Sequence, residues 1–208
     1  MEIPAYFTSY DDGNMIVSDG SFSILSVREG GSSYPLNEKI PQSISKEQRS
    51  PVVIIDYNSL IKREFSEKVM KHLRVPGASI WFMTYIETVE DVFDAFNKDA
   101  ELVLAPYHYI ASEAELRDIC DVSDSVVPVI FIHKGKAMVG GRQTEDVLKV
   151  LEKLVGIGFY RNFVLDMEGS LDGYTWSVIA EDYPSTIPFV QSGDRVAGFQ
   201  NVIVPSLL

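Results

Sequence analysis

Apolar runs alternate with helix-like segments along most of the chain. From residue 51 onward each short apolar run is followed by a segment with helical periodicity, an order typical of a parallel sheet with crossover helices. The pattern predicts eight strands, seven ending near Thr8, Asp56, Thr84, Ala105, Ile132, Asp166 and Gln191 and the last running through Val204. Eight strands in this order favour a TIM-type (β/α)8 barrel, and we expect residues 1–208 to form a single domain.

The first fifty residues depart from this alternation. Apolar runs flank Asp11–Asn14, which predicts a strand with a hairpin-like excursion, whereas residues 30–50 lack a sustained period and predict a loop. Further along, Val52–Leu60 and Phe163–Leu171 share an apolar strand, an Asp and a following Ser-Leu pair. These two segments lie about half a chain length apart, so they suggest an internal repeat, although short strands that end in Asp also recur by chance.

Polar residues follow the apolar strands at the points where a parallel α/β protein binds its ligand. We therefore predict a ligand site at the carboxyl ends of the strands, formed by Asp56, Asp166, Glu168, Ser170, Ser192, Gly193 and Asp194. Asp166 is also a candidate acid/base group. The competing interpretations are an Asx turn at Asp56, and a turn acid with a solvated neighbour at Asp166 and Glu168.

Two histidines are further catalytic candidates. His108 lies between Tyr107 and Tyr109 and has the chemistry to bind a ring or transfer a proton, but a hydrogen-bonded histidine in an aromatic cluster explains it more simply. His133 precedes Lys134-Gly135-Lys136, which predicts either an acid/base group or a turn with exposed cations.

Composition narrows the classes of partner. The formal charge of −12 and the pI near 4.6 argue against binding to nucleic acid or to an anionic membrane through the general field of the protein. Cys120 is the only cysteine, and no spaced set of ligating side chains predicts a metal, so we expect no cofactor. No apolar run approaches the roughly 18 residues of a membrane span, and the N-terminus lacks a signal-peptide pattern. We expect a soluble, cytoplasmic protein.

Four segments together resemble one known family. The chain opens with Ile3-Pro4-Ala5 and Asp12-Gly13, and further matches are Ile86–Val92, Asp166–Gly173 and Ile187–Gly193. These segments resemble motifs of the histidine-biosynthesis barrels, a family that comprises ProFAR isomerase and the cyclase subunit of imidazole glycerol phosphate synthase. In the same order, the family motifs are I-P-A-I-D-L with D-G-K, I-R-S-x-E-D-V, D-x-x-x-D-G-T-x-x-G and I-P-V-I-A-S-G-G. The resemblance implies a half-barrel repeat, a substrate with two phosphates, and one catalytic Asp after each of the first and fifth strands.

The departures from the family pattern fall on its functional positions. Phe7 stands where the first catalytic Asp is expected, and a phenyl ring cannot transfer a proton. The second Asp position holds Phe131 or His133, depending on a one-residue gap. Met83-Thr84-Tyr85 replaces the glycines of the first phosphate site, and Asp194 replaces the second glycine of the other.

The scaffold also looks shortened at its C-terminal end. Only about eleven residues separate the apolar cores near Val190 and Val202, and parallel strands normally need a crossover of a dozen or more. We therefore expect helices seven and eight to be missing and the barrel to be irregular there. An outer face without helices would expose apolar side chains, so we expect a homo-oligomer that covers it.

The leading hypothesis is a diverged paralogue of the ProFAR isomerase family that does not catalyse the isomerase reaction. We expect it to bind a small molecule, which can be a phosphorylated one. One alternative is an isomerase or lyase acting on a smaller sugar or aromatic compound through Asp166, His108 or His133. The other is a non-catalytic binding or assembly protein. An enzyme should bring polar strand-end residues to one cavity, whereas a scaffold should fill the mouth with Phe7, Tyr85, Tyr107 and Phe131.

Overall fold

Eight parallel strands close into a barrel. The computed structural model describes residues 1–11, 14–18, 34–35, 51–72, 79–96, 100–193 and 196–206. The barrel strands are β1 (Glu2–Asp11), β4 (Val52–Asp56), β5 (Ile80–Met83), β6 (Leu102–Pro106), β7 (Val126–His133), β10 (Asn162–Asp166), β11 (Thr186–Val190) and β12 (Val202–Pro205). They pair in the order β10-β11-β12-β1-β4-β5-β6-β7, and β7 pairs in turn with β10. This confirms the predicted TIM-type α/β barrel.

Helices connect most of the barrel strands. They are α1 (Tyr57–Lys62), α2 (Lys68–His72), α3 (Val89–Phe96), α4 (Glu113–Val122), α5 (Val147–Ile157) and α6 (Gly173–Asp182). Ser112 caps the N-terminus of α4, since its hydroxyl accepts from the Glu115 amide. The described residues between β4 and β5 form two short helices, because Arg63 adopts a left-handed conformation (φ 54°) that ends α1.

The barrel interior is filled by apolar side chains. Alternate residues of the strands point inward, and side chains from strands that do not pair with each other meet: the rings of Phe7 and Phe189 lie 6.1 Å apart, and those of Trp81 and Phe163 lie 5.6 Å apart. The intervening residues point outward and pack under the helices. The interior is therefore a packed core, as barrels of this size require, and a ligand bound at the mouth would lie above it.

Two antiparallel hairpins rise from the carboxyl end of the barrel. β1 continues past the barrel and pairs with β2 (Asn14–Ser18), which pairs with β3 (Tyr34–Pro35); Asp12 and Gly13 lie outside the described residues. On another side of the mouth, β7 turns back into β8 (Lys136–Val139), a 3₁₀ turn (Gly140–Arg142) and β9 (Gln143–Glu145). The second hairpin forms a wall at the mouth.

The connection from β11 to β12 has no α-helix within its described residues, 191–193 and 196–201. Val196 is buried in the outer core, and Phe199 packs edge-on against Trp176 of α6 with ring centroids 5.7 Å apart. These side chains shield part of the outer face, and the homo-oligomer expected there stays a prediction. None of the helices among the described residues has the length and apolar character needed to cross a membrane.

Candidate functional site

An open cavity of about 760 Å³ lies at the carboxyl end of the barrel. It is bounded by α1 and the residue that follows it, by the turn after β6, by the end of β7 and by the β8–β9 hairpin. The described residues lining it are Tyr57, Leu60, Ile61, Arg63, His108, Tyr109, His133, Met138, Val139, Gly141, Arg142, Gln143 and Thr144. Its volume falls within the range of roughly 300 to 1,000 Å³ typical of small-molecule sites.

The charge of this cavity is opposite to that of the chain. Arg63 and Arg142 line it from two different segments, and the lining residues given above include neither Asp nor Glu. The chain as a whole carries a formal charge of −12. Guanidinium groups bind carboxylates and phosphates through paired N–H donors, so the cavity favours an anionic ligand.

Unusual backbone conformations cluster around the same cavity. Among the described residues other than glycine, positive φ angles occur at Arg63 (54°), Lys134 (49°) and Arg142 (63°). Arg63 and Arg142 line the cavity, and Lys134 follows His133, which also lines it. Such conformations cost free energy and persist where the surrounding structure imposes them, often at functional sites.

A row of aromatic rings runs from the barrel interior to the cavity. The Phe131 and His108 centroids lie 4.7 Å apart, those of His108 and Tyr109 lie 4.1 Å apart, and those of Tyr109 and Tyr85 lie 5.2 Å apart. The Arg63 guanidinium carbon lies 5.3 Å from the Tyr109 centroid, within range of a cation–π interaction. We call Phe131, His108, Tyr109 and Tyr85 the aromatic row; it holds Arg63 at one edge of the cavity.

His108 is a predicted catalytic residue that lines the cavity. Burial, followed by the nearby charge of Arg63, lowers the pKa of His108 to about 4. Its Nδ1 atom is buried and has no hydrogen-bond partner among the described residues. The imidazole is therefore neutral near pH 7, and its low basicity makes it a poor proton acceptor there.

His133 and Glu168 form a hydrogen-bonded pair at the edge of the cavity. His133 Nδ1 lies 2.8 Å from Glu168 Oε1, and the Lys134 amide donates to Glu168 Oε2 at 3.0 Å. Burial of the carboxylate opposes its ionisation, but the Lys134 amide and His133 outweigh that effect and lower the pKa of Glu168. Ser170 adds a contact to the same turn, since its hydroxyl oxygen accepts from the Gly135 amide at 2.9 Å.

Asp166 and Asp56 have matching local roles, and neither is among the lining residues given above. Asp166 is 1% exposed, and its carboxylate accepts from the Ser170 and Leu171 amides at 2.9 Å each. Asp56 is fully buried and accepts from the Ser59 amide at 3.2 Å and the Ser59 hydroxyl at 2.6 Å. Burial raises the pKa of Asp56, and the bonds from Ser59 oppose that rise. Both acids stabilise the turn after their strand.

The residues predicted after β11 lie apart from this cavity. Ser192 is exposed, and a Cβ placed on Gly193 would lie 2.7 Å from the Glu2 carboxylate oxygen. A carboxylate at that position repels an anion at the Gly193 amide. Asp194 lies outside the described residues. The predicted ligand site therefore divides into three groups: His108 and His133 at the cavity, Glu168 and Ser170 behind His133, and the rest elsewhere.

Sequence reasoning missed the two arginines and Tyr109. Arg63 follows a helix in an ordinary basic stretch, and nothing in its sequence neighbourhood distinguishes it from a solvated residue. The sequence contains one feature that could have drawn attention to Arg142, the preceding Gly140-Gly141 pair. Gly141 adopts φ 72° at the tip of the hairpin, a conformation that glycine favours. Paired glycines before an arginine in a turn predict a loop that presents the guanidinium at a fixed position.

No protein-family model and no curated protein matches the sequence. The described part of the chain also contains no cluster of three or more His, Cys, Asp or Glu side chains suited to a metal ion. The geometry and charge of the cavity are therefore the features that point to a function.

Substituting Asp166 tests its structural role. Asp166→Ala removes the acceptor for two backbone amides, and we expect it to lower the free energy of unfolding by roughly 1 to 3 kcal/mol. Asp166→Asn retains one acceptor oxygen and should cost less, and Asp121→Ala, which removes an exposed acid of α4, should cost least. Urea unfolding followed by circular dichroism measures all three. Unchanged stability in Asp166→Ala would show that the carboxylate is free for another role.

His108 should make the stability of the protein depend on pH. Its folded pKa of about 4 lies below the ordinary value of about 6.5, so the unfolded chain binds a proton in this interval while the folded protein does not. Neutral His108 therefore contributes to the free energy of unfolding, and this contribution is fully present above about pH 6.5. It is lost as the pH falls toward 4, by up to about 1.4 kcal/mol per pH unit.

The test compares wild type with His108→Phe, which keeps an aromatic ring between Tyr109 and Phe131. Urea unfolding should give a stability difference between the two proteins that falls with decreasing pH across this interval and is constant above it. Because other titrating groups are common to both proteins, their effects cancel in the difference. A difference that does not change with pH contradicts the burial argument.

Proposed function

We propose that the protein binds a small anionic compound in the cavity at the mouth of its barrel. The observation that carries this proposal is the pair of guanidinium groups, Arg63 and Arg142, in a cavity whose described lining includes no carboxylate. In a chain with a charge of −12 this local excess of positive charge points to a specific anion rather than to general electrostatic attraction.

The ligand also needs an apolar or planar part. Besides the arginines, the cavity is lined by Tyr57, Leu60, Ile61 and Met138 together with Tyr109 of the aromatic row. Aliphatic and aromatic side chains contribute binding free energy through burial of apolar surface, while the few polar groups orient the ligand. A small carboxylate or phosphate ester with a carbon skeleton of a few bonds or a ring fits this lining better than an inorganic ion alone.

We further propose that the chain is a diverged, shortened member of the histidine-biosynthesis barrel family and does not catalyse the ProFAR isomerase reaction. The closed eight-stranded parallel barrel and the ordered motif matches support the family. Phe7 opposes the activity, because its ring is buried in the barrel interior against Phe189, where no proton transfer is available. The helix-free described part of the connection before β12 supports the shortened scaffold.

The second candidate is a binding protein without catalysis. Phe7 and Phe131 are 1% and 2% exposed and fill the interior beneath the mouth, as a non-catalytic scaffold would require. Tyr85 is buried in the aromatic row and its hydroxyl donates to Glu87, whereas Tyr107 packs against the outer core. The cavity above these rings supports binding under either candidate, so ligand binding is the function tested first.

Anion binding should depend on the two cavity arginines. We expect Arg63→Gln and Arg142→Gln each to weaken binding of sulfate, phosphate and phenylpyruvate by about 10- to 100-fold, since each change removes charge-assisted hydrogen bonds worth about 1.5 to 3 kcal/mol. Arg161→Gln is the matched control, because Arg161 is exposed next to the first residue of β10, at the other end of the barrel. Isothermal titration and the shift in thermal midpoint measure binding. Equal affinities in all four proteins would remove the cavity from consideration.

The absence of the family reaction is tested by complementation. The chain should fail to restore growth of a ProFAR isomerase-deficient auxotroph, because Phe7 supplies no ionisable group at the position of the first catalytic Asp. Western blotting must show that the protein accumulates in the host, and a functional isomerase expressed from the same vector serves as the positive control. Restored growth would mean that a different residue replaces the acid in the first strand.

A further inference from the structure

We propose that the cavity is a proton-transfer site in which His133 is the general base and Glu168 is its positioning residue, acting on small anionic carbonyl compounds. This inference rests on the proposed function, because it requires the anion to bind in the same cavity. It adds a reaction class and assigns the two residues that perform it.

The tautomer of His133 follows from its partner. Glu168 has a lowered pKa, so its carboxylate is ionised at neutral pH and can only accept hydrogen bonds. The 2.8 Å contact therefore requires the proton of a neutral His133 ring to be on Nδ1, which leaves the lone pair of Nε2 free to accept a proton. A base that is oriented by a third group in this way is a recurring arrangement in enzymes.

The surrounding turn fixes the position of this pair. The Lys134 amide holds the second oxygen of Glu168, and the Gly135 amide donates to Ser170, so two successive backbone amides join the β7–β8 turn to the segment after β10. Lys134 adopts φ 49° and Gly135 φ 74° in that turn. Glu168 and Ser170, which the sequence suggested as ligand contacts, thus act on the cavity through His133 and its turn.

The other ionisable candidates fit this role less well. His108 is held neutral by burial beside Arg63, and its Nδ1 is enclosed, so it neither accepts a proton readily nor reaches a ligand through that atom. Asp166 accepts two backbone amides and does not line the cavity among the described residues. His133 combines cavity lining, a side chain that is 31% exposed and an oriented ring.

The chemistry follows from a base and two cations in one cavity. His133 Nε2 takes a proton from the carbon next to the carbonyl group; the electron pair of that C–H bond forms the enolate, and its oxygen carries the charge. Arg63 or Arg142 stabilises this oxyanion through N–H donors. The imidazolium then returns the proton to the same carbon or to a neighbouring atom, which gives exchange or isomerisation. Protons and electrons balance without another reactant.

Solvent exchange in D₂O tests the proposal directly. Pyruvate, phenylpyruvate and dihydroxyacetone phosphate are the probes, and NMR follows the replacement of hydrogen by deuterium at the carbon next to the carbonyl. We expect the protein to accelerate exchange of at least one probe over buffer, and His133→Gln to lower the rate by about 100-fold or more, the usual size of a general-base contribution. The affinity of His133→Gln for the probe should stay within about twofold of wild type, because the arginines provide the binding.

Glu168→Gln tests the positioning role. We expect kcat for exchange to fall by about tenfold with KM unchanged, since the ring loses its orientation but the anion site does not. Glu152→Gln, an exposed acid of α5, is the matched control and should have no effect. In the wild-type protein, nitrogen chemical shifts should show the neutral His133 ring protonated at Nδ1, and Glu168→Gln should give a mixture of tautomers.

The outcomes separate the two levels of the proposal. If a probe binds and Arg63→Gln weakens that binding, but no exchange exceeds the buffer rate, the proton-transfer inference is wrong and the binding function stands. Exchange that survives His133→Gln also overturns the inference. If no probe binds to wild type, the proposed function fails and the inference fails with it. A wild-type His133 protonated at Nε2 would rule out the assigned base even if the variants unfold.

Discussion

Closure of the sheet is the constraint on which the rest of the structure depends. Once β7 pairs with β10, eight strands enclose a space that side chains must fill, and Phe7, Phe131, Phe163 and Phe189 occupy much of it. An ionised acid among these rings would lose its hydration without gaining a partner. Ionisable side chains therefore lie in the layer above, where the strands end and the two hairpins begin. His133, two residues beyond Phe131 on the same face of β7, lies at that boundary.

The same architecture explains the internal echo in the sequence. Asp56 ends the second strand of the barrel and Asp166 ends the sixth, so the two positions are related by half a barrel. Each carboxylate accepts hydrogen bonds from a serine in the following turn, Ser59 in one case and Ser170 in the other. The common requirement is to satisfy backbone amides where a buried strand turns into a helix or loop. The echo therefore reflects a repeated structural solution, and it does not by itself mark a repeated ligand site.

These particulars show what the sequence could and could not predict. The strand order and the cap at Ser112 were predictable, because β/α alternation and local capping depend on residues that are close in sequence. The role of Asp166 was not, since an acid after a strand has the same pattern whether it caps a turn or binds a ligand. The cavity was beyond sequence reasoning for a further reason: Arg63 and Arg142 line it from separate segments, and both adopt left-handed backbone conformations that arginine does not signal in a sequence.

For the proposed anion binding, the electrostatic field inside the cavity must differ in sign from the field of the acidic protein as a whole. Screening limits the reach of distant surface carboxylates to about 8 Å at physiological ionic strength, so the groups lining the cavity dominate there. Arg63 stacks on Tyr109, and its charge, together with burial, keeps His108 neutral. The positive charge near the aromatic row therefore stays with a guanidinium that does not titrate near neutral pH. His133 is paired with Glu168 elsewhere in the lining, so in the proposed proton transfer its charge would change while the guanidinium charges stay constant.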